Sequence, residues 1–192
     1  MKRENTKRLV HLGMLAGVSL LLVYFVHFPI IPGAAFLEYD MADVPILIGT
    51  FLYGPLWGLM LTFVVSVLQW LLVSPASGWV GALMHFVATG SFALVAGLIY
   101  ARKRTRGGAV VSLVAGALTM IAMMIPLNLI FTVGFLGVPR QAVVDMLLPA
   151  IIPFNVIKTA VNGVMTFLLY KSVARVLRIE RAPAGGPVPE SK

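Results

Sequence analysis

The chain has 192 residues, of which 59% are hydrophobic and 11% charged. A soluble domain of this size carries about 25% charged residues, so the composition excludes a water-soluble globule and gives an all-α integral membrane protein instead. The absence of cysteine excludes disulfides, thiolate metal sites and cysteine nucleophiles. The net charge of +8 lies mostly in three clusters: Lys2, Arg3, Lys7 and Arg8; then Arg102, Lys103, Arg104 and Arg106; then Lys171, Arg175, Arg178 and Arg181. Such clusters in short loops mark the cytoplasmic side of a membrane, and no nucleic-acid partner is expected.

In chain order, residues 1–8 form the first cytoplasmic segment. The apolar run from Leu9 to Phe28 is too long for a signal-peptide core and lacks a small-residue cleavage site, so it is expected to remain as the first membrane helix. On it Gly13, Ala16 and Gly17 stand at i, i+3 and i+4, a small-residue face that lets another helix approach closely. Internal packing and docking of a partner membrane subunit both fit this face, and Ala93 with Gly97 repeats the pattern later.

The segment 27–45, HFPIIPGAAFLEYDMADVP, is predicted to be a turn structured by Pro29, Pro32 and Gly33. Phe36, Leu37 and Tyr39 make it more apolar than a solvent loop. It reads either as a lid over a hydrophobic ligand, with Phe36 and Tyr39 as stacking faces, or as an interfacial aromatic belt.

The next apolar run, 44–73, is long enough to be one span or two. Three crossings before Arg102 would put the RKRTR cluster outside, so the run is predicted to break at Tyr53-Gly54-Pro55. Residues 43–54 then form a helix too short to span without a thinned bilayer or shielding neighbours. Further spans follow at 79–101, 108–135 and 152–172, the last two joined by the loop around GVPRQAVVD. The sum is six transmembrane helices in a membrane domain of residues 9–178, with both termini cytoplasmic. The Pro/Gly-rich tail 179–192 is expected to be disordered.

This topology puts Glu38, Asp40, Asp43 and Asp145 outside. Lys158 follows the start of the last helix by one to two turns, with Asn155 and Asn162 on the same face. An unpaired ammonium in hydrocarbon costs at least about 2.5–3.5 kcal/mol. Lys158 snorkelling to the outer headgroups, an ion pair with Asp40, Asp43 or Asp145, and a ligand contact all answer that cost. Asn128, two residues after Pro126, lies at similar depth on the fifth span. It fits a pocket wall, interhelical hydrogen bonding or repair of the backbone broken by proline. His85, mid-membrane, reads as a hydrogen-bonded core residue, since no second ligand stands at metal spacing. There is no Walker A sequence, no G-x-S-x-G elbow and no carboxylate relay inside the spans. A pocket without an energy source points to a substrate-binding subunit driven by others. A small membrane enzyme or an autonomous channel is the alternative class, although a channel would carry polarity through the whole bilayer.

The stretch FPIIPGAAFLEYDMADVPILIGTFLYGPLWGLM resembles the first loop, second helix and third-helix start of the riboflavin-specific S components of energy-coupling factor (ECF) vitamin transporters. The pattern rests on Phe28, Pro29, Pro32, Ala34, Phe36, Leu37, Tyr39, Asp40, Asp43, Val44 and Pro45, followed by Phe51, Gly54 and Pro55. It continues through SGWVGALMHFVATGSF and PFNVIKTAVNG, covering residues 9–178. The resemblance implies a multi-pass subunit of a prokaryotic cell membrane that binds riboflavin as transported ligand, with no cofactor, metal or catalytic residue. Its implied partners are membrane lipids, a membrane coupling protein and two ATPases. Asn128, Asn155 and Lys158 match the positions that bind the flavin ring system, and Phe36, Leu37, Tyr39 and Asp40 belong to the loop that caps it. Gly13, Ala16 and Gly17 match the docking surface, where alanines are more usual, and many relatives have Asn in place of His85. A different vitamin would keep the architecture and change the polar groups of the pocket.

Overall fold

The protein is described from a computed structural model over residues 2–31, 34 and 37–177. Pro32, Gly33 and Phe36 of the first loop, and Arg178, Arg181 and the rest of the tail, lie outside the described residues. The apolar runs form helices, which satisfy every backbone hydrogen bond internally, as hydrocarbon requires. The helices are α1 (Lys2–Phe25), α2 (Asp43–Tyr53), α3 (Pro55–Leu72), α4 (Gly78–Arg102), α5 (Arg106–Leu127), α6 (Val133–Leu136), α7 (Arg140–Met146) and α8 (Ile152–Val176). Among the described residues, five stretches are long and apolar enough to cross a bilayer: Glu4–Phe25, Pro55–Leu72, Gly78–Arg102, Arg106–Phe135 and Arg140–Val176. Helix α1 already begins at Lys2, inside the segment expected to precede the first span.

Helix α2 is the exception in length and the centre of the bundle. Its 11 residues extend only about 17 Å at 1.5 Å per residue. All residues from Asp43 to Phe51 are buried, enclosed by α1, α3, α4 and α8. Neighbouring helices therefore shield it from lipid. It ends where the sequence breaks: Gly54 takes a left-handed φ of 100°, open to glycine without penalty, and Pro55 starts α3 where its missing N–H costs nothing. Gly97 of α4 packs against this corner, since a Cβ there would lie 2.8 Å from the Pro55 Cα. With Ala93 fully buried, the second small-residue pair serves internal packing.

On α1 the small residues divide. Ala16 is buried in the core with Leu12 and Leu15, whereas Gly13 and Gly17 are exposed, and a Cβ on either would meet nothing within 4 Å. At 100° per residue, Ala16 lies 60° around the helix from Gly13, enough to turn it inward. The open face is therefore Gly13 and Gly17, a correction to the expectation for Ala16.

Three further features depart from the plain helical reading. The first loop contains an antiparallel ribbon, β1 (His27–Pro29) and β2 (Glu38–Asp40), in register His27 with Asp40, Phe28 with Tyr39 and Pro29 with Glu38. The fifth span is interrupted: Pro126 sits inside α5, and a π turn over Asn128–Thr132 leads into α6. The expected loop around GVPRQAVVD is helical from Arg140. A second π turn, Leu147–Ile151, holds Pro149 and joins α7 to α8, which has Pro153 in its first turn. A π turn absorbs one extra residue per turn and is frequent beside functional sites. Both lie at the ribbon end of the bundle. The opposite end carries the starts of α1 and α5, the end of α2, where Tyr53 bonds to His11 at 2.5 Å, and the basic end of α8.

Candidate functional site

The end of the ribbon and the start of α2 each deliver an aspartate into the bundle. Asp40, at the end of β2, uses Oδ1 to accept the Ala42 N–H at 3.0 Å and Oδ2 to accept Lys158 Nζ at 2.8 Å. Asp43, in the first turn of α2, is wholly buried, and a carboxylate there is favoured by the helix dipole. It accepts Thr89 Oγ1 at 2.9 Å and Asn162 Nδ2 at 3.1 Å, with His85 Nε2 at 3.3 Å and Lys158 Nζ at 3.9 Å. His85 Nδ1 is in turn 2.7 Å from Ser66 Oγ. Asn162 also donates to the Asp40 carbonyl at 3.2 Å and accepts the Tyr39 hydroxyl at 2.9 Å. Lys158 is thus paired with two acids from the first loop and α2, which disposes of snorkelling. Asp145 takes no part: it is exposed and accepts from Gln141.

Beside this network lies a cavity of about 670 Å³ at the ribbon end, bounded by α4, α5, the first π turn and α8. That volume suits a ligand of drug or vitamin size. One part of the wall is apolar and polarizable: Met84, Ala88, Met120, Met124 and Phe131. Another part is polar and contains Asn128, Asn155, Lys158, Thr89 and Thr132. A smaller chamber of about 200 Å³ adjoins it, lined by Asp40, Ser66 and Gln69 and sharing His27, Glu38, Ser74, Ser77, Gly81 and His85 with the larger one. Among the described residues no group of three or more His, Asp or Glu side chains could hold a metal ion.

The two asparagines differ in how they are satisfied. Asn128 donates to the Met124 carbonyl at 2.8 Å and accepts from Thr132 Oγ1 at 3.1 Å, so the first π turn occupies both ends of its amide. Asn155 donates to the Ile151 carbonyl of the second π turn at 2.8 Å, but its Oδ1, although buried, has no hydrogen-bond partner. A buried acceptor left unpaired costs about 1–3 kcal/mol. This one belongs to a residue that lines the cavity.

Among the other residues singled out in the sequence, Leu37 lines the larger chamber and Asp40 the smaller. Tyr39 lines neither. Its ring packs on Phe28 at 5.5 Å between centroids, and its hydroxyl is held by Asn162. Strand alternation explains this: Glu38 and Asp40 share one face of β2, and Tyr39 points to the other. Burial pushes the Tyr39 phenol above its usual range and neighbouring Asp40 adds to the effect, so the hydroxyl stays protonated and donates. Tyr39 is a strut under the loop rather than a stacking face. Thr89 and Ser66 are not among the residues the sequence points to, and Asp43 enters there only as a possible ion-pair partner of Lys158. The Thr89 signal was its i+4 spacing from His85, on one helix face; Asp43 stood in the loop motif beside Asp40.

A largely apolar cavity with a few convergent polar groups, set among bilayer-length helices, defines a membrane-embedded ligand-binding protein. Residues 7–170 match the family of ECF transporter substrate-specific components, and the chain belongs to that family. It is 29% identical over 184 residues to the riboflavin transporter RibU of Staphylococcus aureus, covering 91% of this chain and 94% of that one. It is 30% identical over 175 residues to the riboflavin transporter FmnP of Bacillus subtilis, covering 86% and 91%. A solved S component of a bacterial ECF transporter superposes with a TM-score of 0.77 at 32% identity, over 91% of this chain and 99% of that chain. The chain is therefore a transport component and not an enzyme.

Proposed function

We propose that this chain is the riboflavin-capturing S component of an ECF transporter, with the vitamin held in the larger chamber. The buried, unpartnered Oδ1 of Asn155, on a cavity wall that also holds Lys158, carries this reading. The pyrimidine-like edge of isoalloxazine presents an imide N–H between carbonyl oxygens, so it offers a donor to Asn155 and acceptors to Lys158. The apolar dimethylbenzene end suits the methionines and Phe131, since methionine packs well against aromatic rings. Asn128 borders the same space, and Leu37 with Asp40 brings the capping loop to it. The resemblance assigns Phe36 to the same lid.

Six crossings with both termini cytoplasmic fit the three basic clusters, with α2 as a short crossing shielded by its neighbours. The ribbon end then faces outward, where the vitamin arrives. The exposed Gly13 and Gly17 offer the docking face for a membrane coupling protein, which two ATPases would drive. In cells that cannot make riboflavin, labelled riboflavin should accumulate only when this chain is produced together with a coupling protein and both ATPases. Equal uptake by the chain alone would contradict the assignment as a driven subunit.

A further inference from the structure

We infer that a groove between α3 and α4 binds one acyl chain of a phospholipid from the leaflet at the ribbon end. Its volume is about 310 Å³. Helix α3 lines it with Phe63, Ser66, Val67 and Trp70, and α4 with Trp79, Ala82, Leu83 and Phe86. Each set stands at i, i+3, i+4 and i+7, one stripe along a helix. The helices are joined by the short turn at Pro75–Ser77, so they run antiparallel and the stripes face each other in reverse order. An indole from each helix stands near the turn, and a phenyl from each lies seven residues deeper, about 10 Å at 1.5 Å per residue. Phe63 and Phe86 meet there edge to face, 5.6 Å between centroids, and close the inner end. The small Ser66 and Ala82 fall between these large side chains and leave the space open.

The lining fits hydrocarbon. Both helices are of bilayer length, and the ridges are open to the side, Phe63 being 55% and Trp79 49% exposed. Among the described residues of the lining the sole hydroxyl, on Ser66, is taken up by the Thr62 carbonyl and by His85 Nδ1, each at 2.7 Å. Below the indoles the walls therefore offer nothing to a polar ligand. At the mouth, the indole N–H groups of Trp70 and Trp79 have no hydrogen-bond partner among the described residues. Such groups suit the oxygens of the lipid interface, with the ring in the apolar layer. A helix of another subunit fits poorly, because membrane helices approach closely over small residues, and here two indoles and two phenyls form the ridges. Ser66, Trp70 and Ala82 also line the smaller chamber. The acyl chain thus lies against the outer side of that chamber's wall, behind the Ser66–His85 contact that leads to Asp43.

The test is a titration of delipidated full-length protein in detergent with dioleoyl phosphatidylglycerol dibrominated at mid-chain, read by quenching of tryptophan fluorescence. The expected result is saturable quenching at one lipid per chain, reversed by the same lipid without bromine. Val67→Phe combined with Leu83→Phe fills the groove from positions that line neither ligand chamber. It should weaken this binding about tenfold or more, the loss expected when a few methylenes stay unburied. Trp79→Phe keeps a ring at the mouth and removes one N–H donor. It should weaken binding by a smaller factor, with Trp70 left to report, and it serves as the deciding variant if the filled protein does not fold. Quenching that rises with lipid content without saturating would overturn the inference and reduce the groove to ordinary lipid contact. So would saturable quenching that neither the filled variant nor Trp79→Phe alters, because the lipid would then sit elsewhere.

Discussion

Replacing Lys158 with alanine is expected to weaken riboflavin binding at least about tenfold, ~1.4 kcal/mol, and to lower the Tm of the ligand-free protein. The two losses have separate causes. Affinity falls because a charged donor facing the flavin carbonyls is gone. Stability falls because Asp40 and Asp43 stay buried without their shared cation, a change that costs about 3–5 kcal/mol in comparable buried pairs. Asp40→Asn in the same background should recover part of the Tm and none of the affinity, since it removes a stranded charge without restoring the donor. The check is thermal unfolding and flavin titration on the single and double variants. Unchanged affinity in a folded Lys158→Ala protein would reduce the lysine to an anchor for the first loop.

Asn155→Ala should behave in the opposite way. The variant loses a hydrogen bond to the Ile151 carbonyl, but it also removes a buried acceptor that has no partner. Those contributions are of similar size and opposite sign, so the Tm should change little. Riboflavin affinity should fall by about 1–3 kcal/mol, because the imide N–H of the bound flavin would lose its acceptor. A large Tm drop with unchanged affinity would assign Asn155 to the π turn instead of the ligand.

The two substitutions separate the parts of the network that the sequence made legible from those it hid. The break at Tyr53-Gly54-Pro55 was readable because only glycine tolerates the left-handed corner and proline suits the next helix start. The stripe of Asn155, Lys158 and Asn162 was readable because helical spacing puts these residues on one face. What they meet was not. The bonds from Lys158 to Asp40 and from Asn162 to Asp43 span separations of 118 and 119 residues, which no local pattern encodes. The orientation of Tyr39 depended on a ribbon of three-residue strands, too short to leave an alternating signature. The segment around GVPRQAVVD, expected as a loop, is helical from Arg140 because a π turn holding Pro149 carries the chain on into α8. Ala16 looked like part of an open face because i, i+3 and i+4 residues share one side of a helix. The actual edge of the buried sector falls between it and Gly13.

Placed at the centre of these expectations is one flavin per chain, held at Asn155 and Lys158. Stoichiometric titration of the detergent-purified protein with riboflavin, following quenching of flavin fluorescence, addresses this directly. The expected result is saturable quenching at one riboflavin per chain, weakened in both Asn155→Ala and Lys158→Ala. Unquenched fluorescence over a folded, colourless protein would contradict the riboflavin assignment.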